Sequence, residues 1–365
     1  MIYVIFFSIL VLGVFIMNKG KDSRSFLIVT MIILWLIIGL RYFSVGTDTL
    51  SYIEDFMSIS HMSFSEMWNY ALTTKEPLYV IISWLPSLLS PNYTLFLLIW
   101  ALFPVVSLYK IFNRKLHTSI DYLIAILVYF LLGMFAFNVA SIRQTAALSL
   151  VFYAGSEYIS ALRYSSVKAL VKDKAICKCA LFVVLAYLIH NSSILFLLAI
   201  PCLLVKVRWW YLLCVFGSFI IGKYVHIEEI VLSSKILFDD RYAAYGTVYE
   251  SSQNISALIM QVILFLICFS VKDKLINRNV QNRFFFNMML LGLIFQSLSE
   301  SLAEMARISF YFSMFAMLLV PRAFNEYSNK IRSFLYLGFV IVSLYYLFFL
   351  TSSNLPKYHS VLQIL

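Results

Sequence analysis

The chain has 365 residues, 62% of them hydrophobic and only 13% charged, with a formal net charge of +10 and a mean hydropathy of +0.88. Globular chains are roughly 45–50% apolar and about 25% charged, so this one cannot cover a soluble surface. Disorder, a disulfide-stapled secreted module and a soluble nucleic-acid binder are excluded together.

Crossing a bilayer takes about 20 mostly apolar residues in a helix. In chain order the apolar runs are 2–17, 26–42, 93–112, 120–137, 141–160, 176–189, 209–224, 255–271, 284–299, 308–320 and 333–350, with shorter runs at 77–90 and 193–205. The first run has no basic region before it and no small-residue cleavage site after it, which makes it a retained helix. The fold class is therefore all-α, a polytopic membrane protein in a single domain over 1–365.

Loops on the cytoplasmic side carry an excess of Lys and Arg. Twenty of the 28 fall in six loops, among them Arg114, Lys115 and Arg322, while the other eight share the opposite side with twelve acids. Both termini then lie outside and the number of crossings is even, about twelve. That parity makes 77–90 a re-entrant or interfacial helix, broken at Ser90-Pro91-Asn92. Two external segments, 44–76 and 225–254, are long enough to carry structure, so the working face is external. Cys177, Cys179, Cys202, Cys214 and Cys268 lie in apolar runs or on the basic side, where neither a disulfide framework nor a zinc site is expected.

Ionisable residues at span ends are costly unless paired or facing water, which makes each a site candidate. Arg41 ends the second run and leads into Gly46-Thr47-Asp48-Thr49, where Gly46 permits a tight turn and Asp48 suits the N-cap of a helix over Leu50 to Met57. Glu76-Pro77 opens the re-entrant run, with Pro fitted to a first helical turn. Arg143 and Gln144 begin an apolar span, beside helix amides that also attract anions. His190, followed by Asn191-Ser192-Ser193, is a polar break in an apolar stretch. Glu300, Glu304, Arg307 and Tyr311 share one helical face; a Glu304–Arg307 salt bridge is the simple account, and the lining of a cavity is the other. Asp239-Asp240 with Arg241 reads as loop solvation. No Gly-rich phosphate loop, His-Glu-x-x-His or Gly-x-Ser-x-Gly occurs.

Three arginines on separate spans at one face, with several carboxylates and a His, suit a substrate bearing a diphosphate at the membrane surface. In glycosyl transfer from a lipid-linked diphosphate sugar, the diphosphate leaves as a stable anion, so it needs positive charge but no protonating acid. A carboxylate or His serves the acceptor hydroxyl as base. The arginines would replace a metal, and no cofactor is expected.

Arg41-Tyr-Phe-Ser-Val-Gly-Thr-Asp-Thr with Tyr52, then Glu76-Pro-Leu-Tyr, Ile142-Arg143-Gln144-Thr-Ala-Ala, His190-Asn-Ser-Ser and Ala306-Arg307-Ile-Ser-Phe-Tyr311-Phe resemble, in order, the landmarks of the EpsG family of Wzy-like O-antigen and capsule polymerases. The match runs from about Arg41 to Pro321; the ending, Asn354-Leu-Pro-Lys-Tyr358, carries no landmark. The resemblance implies a GT-C-like helical glycosyltransferase of the bacterial inner membrane. Its donor and acceptor would be undecaprenyl-diphosphate-linked oligosaccharides, joined on the periplasmic face among membrane lipids. A flippase and a chain-length regulator would be functional partners, and no nucleic acid is involved. Carried onto this chain, Arg143 and Arg307 hold the donor diphosphate, Arg41 assists or binds the acceptor's diphosphate, and Gln144 and Tyr311 are further substrate-binding residues. Asp48, Glu76, His190 and Glu304 are the candidate bases, with Asp48 and His190 foremost. A lipid-linked oligosaccharide flippase, an O-antigen ligase and a membrane acyltransferase are the competing readings.

Overall fold

The computed structural model describes residues 2–17, 22–162, 173–224, 255–299, 302, 304–350 and 355–361. These residues are helical, with no strand longer than a single bridge. The external segment 225–254, with Asp239, Asp240 and Arg241, lies outside them, as does Glu300.

The helices follow the apolar runs closely. They are α1 (Ile2–Ile16), α2 (Asp22–Gly39), α3 (Thr49–Ser60), α4 (Phe64–Thr73), α5 (Pro77–Ser87), α6 (Tyr93–Lys115), α7 (Ser119–Leu131), α8 (Met134–Ala140), α9 (Ile142–Ala154) and α10 (Lys174–Tyr187). A 3-10 segment, Asn191–Leu198, precedes α11 (Tyr211–Tyr224), α12 (Ile255–Ser270), α13 (Lys272–Arg278), α14 (Gln281–Leu298), α15 (Glu304–Ser313), α16 (Ala316–Phe324) and α17 (Asn329–Tyr345). By length and composition, Tyr93–Lys115 and Asn329–Phe349 are long and apolar enough to cross a membrane singly. The pairs α7/α8, bent by 60°, and α12/α13, bent by 68°, qualify as broken spans.

Burial separates the centre of the bundle from its rim. Nearly every side chain of α7 is buried, as are most of α9, α14 and α16, the pattern of helices apolar all round. On the rim, α17 buries only 17% of its spanning window, and Phe334, Leu337, Ile341 and Phe349 stand exposed. In water such a surface would aggregate; in a bilayer it faces lipid.

The 11-residue α5 reaches only about 16 Å at 1.5 Å per residue, half of a bilayer core. It ends before Ser90-Pro91-Asn92, where Asn92 caps α6 by accepting from the Thr94 amide at 2.8 Å. By length it falls among the shorter apolar helices of the chain. On the basic side, Arg114 and Lys115 pair with Glu157 at 2.6 and 3.6 Å. Arg322 donates to the Lys115 carbonyl at 3.2 Å and to Asn282 at 2.8 Å. Groups assigned by charge to one side thus meet at one end.

At the other end, breaks in the backbone bring polar residues together. Gly133, with φ +74°, turns the chain from α7 into α8, a left-handed conformation that side chains disfavour. Gly46, with φ +96°, lets the 41–49 loop dock on the α8–α9 junction: a Cβ there would meet the Val139 carbonyl oxygen at 2.5 Å. Thr49 completes the joint by donating to the Val45 and Val139 carbonyls at 2.7 and 3.2 Å.

Gly46→Ala is expected to lower stability by about 2 kcal/mol, because strained backbone and a backbone clash combine. Gly217 in α11 has nothing within 4 Å of an added Cβ, so Gly217→Ala should be neutral or stabilising by up to about 1 kcal/mol. Thermal unfolding of the two purified variants in detergent checks both; equal melting points would contradict the docking role of Gly46.

Candidate active site

Pro77 occupies the first turn of α5, and Glu76 stands at the N-cap without making a cap hydrogen bond. Its carboxylate reaches across to other helices instead. Oε2 accepts from Arg143 at 2.9 Å. Oε1 meets His190 Nδ1 at 2.9 Å and accepts from the Asn191 amide at 3.3 Å. Local backbone fixes the register: α10 ends just before His190, and the Leu78 amide donates to the Leu188 carbonyl at 3.0 Å. Arg143 is the second residue of α9, directly after the break at Ser141.

The Arg143 guanidinium also lies over two neighbouring rings, 5.2 Å from the centroid of Tyr52 and 4.9 Å from that of Tyr79. Cation–π contact with both rings adds to the carboxylate in holding it, while its Nε is buried without a hydrogen-bond partner among the described residues. Side-chain exposures of 15% for Glu76, 35% for Arg143 and 19% for His190 place the trio at a partly wet boundary. Burial pulls the Glu76 carboxyl upward, but its hydrogen bond to His190, the charges of His190 and Arg143 and the Asn191 amide outweigh this. They hold it below the usual carboxylate range.

Tyr311, fully buried on α15, shares a hydrogen bond with Ser192 at 3.0 Å, which ties that helix to the His190 turn. Gln144 is buried and donates to the Arg307 backbone carbonyl at 3.3 Å, so its amide joins α9 to α15. The Arg307 side chain itself is exposed and Glu304 is half-buried. No ion pair forms between them among the described residues: the simple account of their spacing is not realised.

Arg41 lies behind this cluster, 1% exposed. It donates to the Ile38 carbonyl at 2.6 Å and more weakly to Thr49 at 3.5 Å, and Nη2 has no hydrogen-bond partner among the described residues. Tyr358 and Tyr52 lie within electrostatic range of it. Tyr52 therefore sits within electrostatic range of both Arg41 and Arg143. Asp48 occupies the N-cap of α3 as the sequence suggests, but its side chain makes no cap hydrogen bond. With φ −102° and ψ 1° its backbone is not extended, so the carboxylate is not aimed back at the helix amides. The sequence reading missed Tyr52 and Tyr79 as partners of Arg143 and the Asn191 amide as a partner of Glu76; the only signal was that each sits beside a candidate charge.

A depressed carboxyl stabilises the fold above the ordinary Glu value of about 4.3 and loses that contribution as pH falls through its folded value. Glu76→Gln should therefore cost about 1–3 kcal/mol at neutral pH, a difference that shrinks as the pH falls below about 4. Thermal melts of both proteins read it directly; a difference that keeps growing below about pH 4 would contradict the ionised assignment.

No curated protein and no solved structure shows a match to this chain. A family model, described as the EpsG family, matches residues 24–363 and so contains every residue of the Glu76 cluster. The chain is a helical membrane protein that belongs to the EpsG family, a polysaccharide-polymerase-like class.

Proposed function

We propose that this protein is a metal-independent glycosyltransferase that joins undecaprenyl-diphosphate-linked repeat units on the periplasmic face of a bacterial inner membrane, as a Wzy-type O-antigen or capsule polymerase does. About twelve crossings with both termini outside, and a GT-C-like arrangement, belong to the same reading. The observation that carries it is the Glu76 carboxylate shared between Arg143 and His190, at 2.9 Å each.

An ionised Glu76 accepts from Nδ1–H of His190, which leaves the lone pair on Nε2. Nε2 then takes the proton of the acceptor hydroxyl as its oxygen attacks the anomeric carbon of the donor. The bond from that carbon to the diphosphate breaks, and its electron pair leaves on the diphosphate. The proton remains on His190, where Glu76 stabilises the imidazolium. Arg143 and the exposed Arg307 take the leaving charge, held near each other through Gln144. In this scheme His190 is the base and Glu76 a positioning residue. Asp48 and Glu304 make no contact with the trio among the described residues and are weaker candidates. A flippase delivers the substrates, and a chain-length regulator limits the product.

In a deletion strain resolved by gel electrophoresis, the wild-type gene should restore a long polysaccharide ladder. Arg143→Ala and His190→Ala, at normal membrane abundance, should leave a single repeat unit. Glu76→Gln should retain a trace of ladder, the rate falling by about 10²–10⁴-fold through a misplaced tautomer. A full ladder from Arg143→Ala would refute the assignment, whereas complete loss of repeat units in the deletion strain would point to a flippase or ligase.

A further inference from the structure

Three rings meet at the basic end of α9. Tyr153 lies 6.2 Å from Tyr158 and 5.7 Å from Phe182 of α10, and Tyr158 lies 5.7 Å from Phe182, centroid to centroid. Tyr153 belongs to α9 and Tyr158 to the π turn, Gly155–Ile159, that continues it. Lysines from the two helices that pack on α9 reach over these rings. Lys110 of α6 stands 5.8 Å from the Tyr153 centroid, and Lys178 of α10 stands 5.7 Å from that of Tyr158. Arg114, one turn after Lys110, pairs with Glu157 at 2.6 Å and keeps 56% of its side chain exposed. A lysine seated over a ring still has ammonium hydrogens to give to another acceptor.

The faces that lead up to these cations are apolar and open. On α6, Leu102, Val106, Lys110 and Arg114 follow one another at every fourth position, and all are exposed. On α10, Lys178, Leu181 and Leu185 share one exposed face in the same way. Each helix thus presents an apolar stripe that ends in charge, with the three rings between the two. The carboxylates of these helices and their caps are already engaged. Glu157 meets Arg114 and, at 3.6 Å, Lys115, while Asp173 caps α10 by accepting from the Ala175 amide at 2.7 Å. Lys110, Arg114 and Lys178 therefore leave net positive charge between two apolar stripes, the complement of a two-chain amphiphile with an anionic head.

We propose that this surface binds an anionic diacyl phospholipid of the bilayer, its phosphodiester held by Lys110, Arg114 and Lys178 beside the rings, one chain lying along Leu102 and Val106 and the other along Leu181 and Leu185. The lipid bridges α6 to α10 across α9. At 1.5 Å per residue, the opposite ends of α9 and α10, which carry Arg143 and His190, lie about 15–20 Å away. The lipid site is thus separate from the Glu76 trio, yet it staples together the two helices that position Arg143 and His190. Such a site stands whether or not the chain is a polymerase.

Native mass spectrometry of the purified protein, titrated in detergent with dioleoyl phosphatidylglycerol, should show one lipid bound well ahead of dioleoyl phosphatidylcholine. Lys110→Ala and Lys178→Ala should each weaken it about fivefold, the scale of one cation facing an anionic lipid, and the pair by about 25-fold. Lys274→Ala with Lys330→Ala, which removes two exposed lysines of α13 and α17 on the same basic side, should leave the affinity unchanged. Thermal melting close to that of the wild type shows that each variant is folded. Glycerophosphoglycerol, the same head without its chains, and inorganic phosphate should not displace the lipid. Equal loss from the two double variants would reduce the attraction to diffuse charge. Displacement by either water-soluble competitor would make the surface a phosphate site, and equal binding of phosphatidylcholine would remove the role of the cations. Each of these three results overturns the proposal.

Discussion

One carboxylate organises the polar end of this bundle. Glu76 is shared by Arg143 and His190, which come from α9 and from the end of α10, while Glu76 itself precedes α5. Burying three ionisable groups at a membrane boundary is costly for each alone, and the arrangement offsets the cost by giving each a partner. Removing the carboxylate would leave two groups facing each other with no counter-charge. The polar contacts that surround the trio serve the same joint: the Leu78–Leu188 backbone bond sets the register, and the Ser192–Tyr311 bond anchors the far side.

That joint exists because the helices stop where they do. An unbroken helix satisfies its own backbone and keeps charges out of the bilayer, so a membrane protein places irregular backbone only where protein or water receives it. Here Gly133, Ser141, His190 and the Ser90-Pro91-Asn92 break all interrupt helices, and the first three lead directly to α8, to Arg143 and to the partner of Glu76. Gly46 contributes a close approach that a side chain would block, pressing the Arg41 loop onto the end of α8. The central helices supply rigidity, since α7 and α14 are buried on nearly all faces.

The helices were legible because their signal is local. Apolar runs predicted α6, α9 and α14 within a few residues, and charge counting grouped Arg114, Lys115 and Arg322 on one side. The site was legible only as a set of residues. Ionisable groups at span ends picked out Glu76, Arg143 and His190, but helical spacing reports neighbours three or four positions apart, whereas Glu76 meets Arg143 across 67 positions and His190 across 114. The same local logic paired Glu304 with Arg307, which the structure leaves apart. Asp48 shows a subtler limit: its residue type and position suit a cap, but the backbone angle that aims the side chain is not written in composition. Tyr52 and Tyr79 were two of 24 tyrosines in an aromatic-rich chain, so nothing local marked them as the walls around Arg143.

The two arginines nearest this end stand in opposite electrostatic states. Arg143 is compensated by Glu76 and contacted by two rings, whereas Arg41 is buried with Nη2 unpartnered and no carboxylate in ion-pair distance among the described residues. An anion approaching Arg143 must share it with Glu76. Under the proposed mechanism, sharing has a consequence for the base. As the donor diphosphate draws on Arg143, less of the Glu76 charge is engaged by the guanidinium and more of it faces His190. The trio would then couple donor occupancy to the hold on the base, because one carboxylate serves both the group that meets the leaving diphosphate and the group that takes the acceptor proton.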